Sequence, residues 1–348
     1  MPSPFKTGYF QTFEYPSQQE VIIHDDLYGN HLISEPVLVD LLQSPALLRL
    51  EGVCQHGVTG FLGITHRITR LEHSVGAFLM VRSVGASIEE QIAALLHDIS
   101  HTTLSHVVDW ALSKHGEESF HEVHKHRYVN SMTNLPSVLE AHGFGESQTL
   151  EEHFFPLVEQ PSPHLCADRL DYALRDAVGF NYMSLDDARQ VLSSLKAFPD
   201  AFHPQRIFVL QDADLSVRLA RAYIAIDRDV WSNPAHIDMY RRTGQAIATV
   251  IRQGSIKEEQ LWELSDREFW DLMRNRADKR TREVLDHLES EGLPPEDGLP
   301  LPHSAKVRTL DPDIYVQDAE EPLPLSVVLP SWAAELQKYI HSREVTRG

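Results

Sequence analysis

The stretch SIEEQIAALLHDISHTTLSH, residues 87–106, constrains this chain more than any other. Ser87 is followed three residues later by Glu90, the reciprocal capping pattern that starts a helix. A helix is therefore expected from about Ile88. Its apolar run ends on Leu95 and Leu96, and the next two residues are His97 and Asp98. An imidazole and a carboxylate delivered together at the buried end of a helix are either a capped terminus or half of a metal site. The second reading requires further inward-facing ligands from other helices.

Such ligands are present. TRLEHSVGAFLMVRSVGA, residues 69–86, spaces Leu71, Val75 and Phe78 or Leu79 at three- and four-residue steps, with Arg82 outside the stripe. His73 lies one turn into that predicted helix. SPHLCADRLDYALRDAVGF, residues 162–180, carries Leu165, Leu170, Leu174 and Val178 along one stripe and brings in Asp168. Two neutral imidazoles and two carboxylates suit one divalent ion, whether Mn, Fe, Mg, Zn, Co or Ni. An ion that accepts six ligands keeps positions for water and substrate and can hold a phosphoryl oxygen. Taken singly, each residue has a plainer reading as a hydrogen-bonded core His or a capping Asp.

The rest of the chain reads as mostly α. Residues 1–40 form an N-terminal extension in which EVIIHDDLYGNHLIS suggests a short hairpin around DDLYGN. SFHEVHKHRYVNSMTNL and TLEEHFFPLVEQ read as helical, and QRIFVL as a short strand. Two strong helices follow, the first ending at Asn233-Pro234. KEEQLWELSDREFWDLMRNRADKRTREVLDHLESEG reads as polar-faced helix, GLPPEDGLPLPHS as a linker, KVRTL and IYVQDA as extended, and SWAAELQKYIHSR as a final helix. The expected division is 1–40, a core over 41–240, and a helical and extended C-terminal region over 241–348 packed on that core.

Composition narrows the functional classes. The 348 residues carry 31 basic and 51 acidic side chains, a net charge of −20. Such a surface repels duplex nucleic acid, although a local Arg cluster or a metal can still attract a small phosphate. No apolar run reaches the ~18 residues needed to span a bilayer, and the N-terminus lacks a basic-then-apolar signal pattern. Two cysteines, Cys54 and Cys166, point to a reducing interior, so a cytoplasmic or nuclear location is expected. The acidic stretch KEEQLWELSDREFW offers a face for a partner or a homo-oligomer, though a solvated face is the plainer account.

The ordered set TRLEHS, LLHDISHTTLSH and ADRLDY resembles the HD-domain phosphohydrolase superfamily. It is most similar there to the deoxynucleoside triphosphate triphosphohydrolase branch. The resemblance covers about residues 20–240. It implies a mostly α HD-domain helical fold with minor β near the N-terminus and in the C-terminal region. It also implies one divalent ion on His73, His97, Asp98 and Asp168, and a nucleoside mono- or triphosphate as substrate. Carried over residue by residue, it makes Arg70 a phosphate-gripping catalytic residue and His101 a phosphate-facing one. His121 becomes the catalytic His, oriented by Asp109, with His124 as a rival. Gln55 would meet the sugar edge, Tyr172 stack on the sugar, Asp176 bind a sugar hydroxyl, and Arg228 bind a second phosphate. His106 is left outside the site.

The chain departs from the family pattern at Ser100 and Thr102, where Gly flanks the third His, and at Thr103 in place of Pro. Residues 35–55 hold Arg49 as their one basic residue, so a nucleotide-binding regulatory cluster is not expected there. Two other readings remain at this level. A two-iron HD oxygenase would recruit His121, His124 and His126 as extra ligands, and a non-catalytic nucleotide-binding module would keep the fold without turnover.

Overall fold

The computed structural model describes residues 11–114, 118–145, 149–296, 298–299, 301–302, 305–315 and 320–346. Parts of the N-terminal extension, of the 292–304 linker and of IYVQDA lie outside the described residues. An antiparallel three-stranded sheet comes first: β1 (Gln11–Ser17), β2 (Glu20–Asp25) and β3 (Gly29–Ile33). The β2–β3 hairpin matches the sequence expectation; β1 extends it. Alternation buries Val21, Ile23 and Asp25 on one face of β2. The Asp25 carboxylate accepts the Leu27 and Tyr28 amides and so fixes the hairpin turn.

Short helices α1 (Pro36–Leu42), α2 (Pro45–Leu48) and α3 (Gly57–Phe61) lead into the two helices that matter most. α4 (Arg70–Ser83) starts at a full capping box between Thr69 and Glu72. α5 (Ile88–Leu96) starts at Ser87, whose hydroxyl accepts the Glu90 amide, and His97 closes it. The two pack against each other, as does α4 against the later metal-ligand helix. α6 (Val107–Leu112), α7 (Phe120–Met132) and α8 (Leu135–Ala141) follow.

TLEEHFFPLVEQ is not the helix its spacing suggested. Beyond Thr149 the segment holds a single 3-10 turn, Glu152–Phe154, and Pro156 cannot continue a helix. α9 (Ala167–Gly179) begins five residues later than the apolar stripe implied, with Cys166 as its cap. Next come α10 (Leu185–Ser194), β4 (Leu195–Phe198), β5 (Ile207–Leu210) and α11 (Ala213–Ile226). A π turn over Asp227–Trp231 then leads to α12 (Pro234–Arg252).

The polar stretch 257–292 is helical as expected, in three helices: α13 (Gln260–Glu263), α14 (Asp266–Arg276) and α15 (Lys279–Glu291). Ser265 and Asp278 each cap the following amides, which restarts the helix at both points. Of KVRTL and IYVQDA, the described residues hold one strand, β6 (Asp313–Ile314), parallel to β5 and antiparallel to β7 (Leu323–Pro324). α16 (Leu325–Val328) and α17 (Pro330–Thr346) end the chain, and Trp332 is fully buried. The fold is mostly α with small sheets at both ends, as read from sequence. No described helix is long and apolar enough to cross a membrane.

Candidate metal centre

α4, the end of α5 and α9 bring His73, His97, Asp98 and Asp168 to one point. His73 Nε2 lies 3.1 Å from His97 Nε2, 3.0 Å from Asp168 Oδ1 and 3.5 Å from Asp98 Oδ2. The two imidazoles have their other nitrogens spent. His73 Nδ1 donates to Asp171 Oδ2 at 2.8 Å, and His97 Nδ1 donates to the Ala94 carbonyl at 2.7 Å. Both Nε2 lone pairs therefore face each other beside two carboxylates. That donor set fits a divalent cation, and the outer hydrogen bonds are those that orient metal-bound imidazoles.

Asp171 was not singled out from sequence. It accepts the Arg175 Nε at 3.0 Å and the Tyr28 hydroxyl at 2.7 Å, and Arg175 also reaches Asp25 at 2.9 Å. The first hairpin is thereby tied to the metal centre through a fully buried chain of charges. A Cβ built on Gly76 would lie 1.9 Å from Asp171 Oδ1, so only glycine lets α4 approach this carboxylate. The signal was the i, i+3, i+7 spacing of Asp168, Asp171 and Arg175 on one helix.

The remaining sequence expectations divide. Arg70 is buried and bonds Asp98 through Nη1 and the Ser105 hydroxyl, at 3.1 Å, through Nε. His101 Nε2 sits 3.2 Å from Asp98 Oδ1 and stacks on His121 at 3.6 Å. Burial, then the charges of Arg70 and His121, hold His101 well below the ordinary imidazole range. His121 also reaches Glu122 Oε1 at 2.9 Å. His124 instead packs edge-on against Phe120 and Trp262. Asp109 does not orient His121. It bonds His106 Nδ1 at 2.9 Å and accepts the Phe120 amide at the start of α7. His106, left out from sequence, meets His101 edge-on at 4.9 Å and so borders the site.

Gln55 has a buried side-chain oxygen without a hydrogen-bond partner among the described residues. Tyr172 lies 6.3 Å from His73 between ring centres and exchanges a 2.7 Å hydrogen bond with Tyr223. Asp176 offers no free oxygen: one takes His56 and His66, the other accepts Trp231 Nε1 at 2.8 Å. Arg228 is exposed and forks onto its neighbour Asp229 at the surface. His126 pairs with Glu151 on the outside, so His121, His124 and His126 do not converge on a second iron.

The turn that follows the ligand pair is held from the C-terminal region. Leu104 and Ser105 have φ of 55° and 49°, a left-handed conformation rare for such residues. Asp266 accepts the Leu104 amide at 2.7 Å, the Thr103 hydroxyl at 3.1 Å and the Cys54 amide at 2.8 Å. Trp262 Nε1 donates to the Ser100 carbonyl at 2.7 Å. Ser100, Thr102 and Thr103, the departures from the family pattern, thus sit in a clamped turn that positions the Ser105–Arg70 bond.

Comparison with known proteins agrees with this geometry. The HD domain family model matches residues 70–175. The chain is 57% identical to a metal-dependent phosphohydrolase of Cordyceps militaris over 99% of each. It is 26% identical to a deoxynucleoside triphosphate triphosphohydrolase of Gallus gallus, over 40% of this chain and 25% of that one. A crystal structure of a phosphohydrolase from Bacteroides thetaiotaomicron shares the fold, with a TM-score of 0.57 at 18% identity over 78% of each chain. With the candidate ligand residues inside the matched segment and a relative alike along nearly its whole length, the chain belongs to the HD-domain family of metal-dependent phosphohydrolases.

Proposed function

We propose that the chain hydrolyses a phosphate ester or anhydride of a nucleotide, a nucleoside mono- or triphosphate, with one divalent ion on His73, His97, Asp98 and Asp168. The observation that carries this is the pair of Nε2 lone pairs 3.1 Å apart with both Nδ1 positions already spent. A bound ion supplies Lewis acidity towards a phosphoryl oxygen and lowers the pKa of water. Arg70 keeps a buried positive charge beside Asp98, where negative charge develops on the phosphoryl group. His121, paired with Glu122, is set to give a proton to the leaving oxygen. His101 stacks on it from the Asp98 side and faces the phosphates. The unpartnered Gln55 oxygen accepts a sugar hydroxyl, and Tyr172 offers its ring to the sugar. Glu122 replaces Asp109 in the orienting role, and Asp176 and Arg228 drop out of the substrate set. The name of the Gallus relative supports a nucleotide substrate.

The test is a panel of nucleoside mono- and triphosphates with chelator-treated protein reloaded with Mn, Fe, Co, Mg, Zn or Ni. Released phosphate, pyrophosphate and triphosphate are measured. One nucleotide class should be turned over, and His97→Ala or Asp98→Ala should abolish both turnover and metal retention at the His73 centre. Cleavage of p-nitrophenyl phosphate with no release from any nucleotide would remove the nucleotide reading and leave the hydrolase.

A further inference from the structure

We propose that His56, His66 and Asp176 form a second divalent-cation site, separate from the centre on His73. His56 precedes α3, His66 lies in the loop before α4, and Asp176 is on α9. Asp176 follows Asp168 by eight residues, which places it roughly 12 Å further along the helix axis. His56 Nε2 is 2.9 Å and His66 Nε2 3.2 Å from Asp176 Oδ1. All three side chains are shielded, with exposures of 7%, 12% and 1%.

The arrangement repeats that of the first centre. There, two Nε2 atoms and one Asp oxygen converge, with ring centres 4.9 Å apart and planes at 76°. Here the ring centres are 5.3 Å apart and the planes at 80°. Two imidazoles bound through Nε2 to one tetrahedral ion put their centres about 5 Å apart. The cluster of His101, His106 and His121 differs: His101 and His121 stack at 21°, so their in-plane lone pairs run parallel instead of converging.

The surroundings are built to hold the three ligands. Trp231 Nε1 donates to the second Asp176 oxygen and fixes the carboxylate. Tyr240 donates to the His56 carbonyl at 2.7 Å. Gly179 faces the His66 ring, where a Cβ would come within 2.5 Å of Cε1. An imidazole-rich set favours Zn, Co or Ni over Mg. His66 Nδ1, unlike its counterparts at the first centre, has no partner among the described residues. An imidazole without that outer acceptor is the weaker ligand, so this ion leaves first under a chelator. Its role is structural: it pins the segment entering α3 and the loop before α4 to the end of α9.

The test counts ions in the full chain without substrate, so it stands or falls independently of the nucleotide reading. Chelator-treated protein is titrated with Co2+, and bound cobalt is read by elemental analysis and visible absorption. Wild type should bind two equivalents, His97→Ala one, and the double variant His97→Ala with His66→Gln none. One equivalent on wild type, none on His97→Ala, or one surviving in the double variant overturns the proposal. Should the double variant fail to fold, X-ray absorption on cobalt-loaded His97→Ala decides without touching the cluster. Two imidazoles in its first coordination sphere are expected, and fewer than two overturn the site.

Discussion

Asp171 accepts the Nδ1 proton of His73, and that single hydrogen bond leaves the Nε2 lone pair free for a cation. Outer partners of this kind are worth about 10–100-fold in metal affinity. Asp171→Asn should therefore weaken binding at the first centre by that factor with all four ligands intact, read by competition against a chromogenic chelator. Gly76→Ala is expected to be harsher. Its methyl would overlap the same carboxylate, and a displaced buried charge pair costs about 3–5 kcal/mol. Chemical denaturation should show that loss, while Gly85→Ala, with open space around it but φ of 81°, should cost only about 1 kcal/mol. The four candidate ligands could be singled out from sequence because His73 and Asp168 lie on predicted helices and His97 and Asp98 directly follow another. Asp171 and Gly76 were not singled out, since their importance is a contact between two helices that are distant in the chain.

At the scale of elements, the turn after α5 explains why residues beyond the matched domain matter to it. A helix can bring His97 and Asp98 to its end, but it cannot hold Leu104 and Ser105 in a left-handed turn. Asp266, at the start of α14, does so by accepting three donors. Asp266→Ala unpairs them, and each buried orphan costs about 1–3 kcal/mol. The expected result is a kcat reduced about tenfold or more through displacement of Ser105 and Arg70, with the metal content unchanged. Asp266→Asn keeps two acceptor sites on one oxygen and should restore part of kcat. A loss of metal in both variants would show that the turn supports the ligands rather than Arg70. Sequence spacing read residues 257–292 as polar-faced and helical without marking the breaks, because helical periodicity continues across Ser265 and Asp278. Whether a Ser or Asp caps or continues a helix is decided by the amides it meets, which periodicity does not record.

For the molecule as a whole, the last helix is fastened to the interior rather than laid on it. Asp227 is fully buried and accepts Ser232 Oγ at 2.6 Å, Tyr339 OH at 2.7 Å and the Arg308 amide at 3.1 Å. Arg343 donates to the Ser232 carbonyl at 2.6 Å. Tyr339→Phe should lower unfolding free energy by about 1–2 kcal/mol, measured by denaturant titration, because Asp227 keeps its other two donors. Deleting residues 330–348 removes Tyr339 and Arg343 and the fully buried Trp332 together. The melting temperature should then fall by far more than in Tyr339→Phe. By itself, the sequence determined the helical class, the first hairpin and the order of the four candidate ligands along the chain, since these depend on local periodicity, capping and residue chemistry. Only the tertiary structure decided that Asp109 serves His106, that Glu122 meets His121, and that Arg228 stays at the surface. It alone showed Asp176 shared by two histidines and a tryptophan. Those pairings join atoms far apart in the chain, and spacing along a sequence carries no distance across a core.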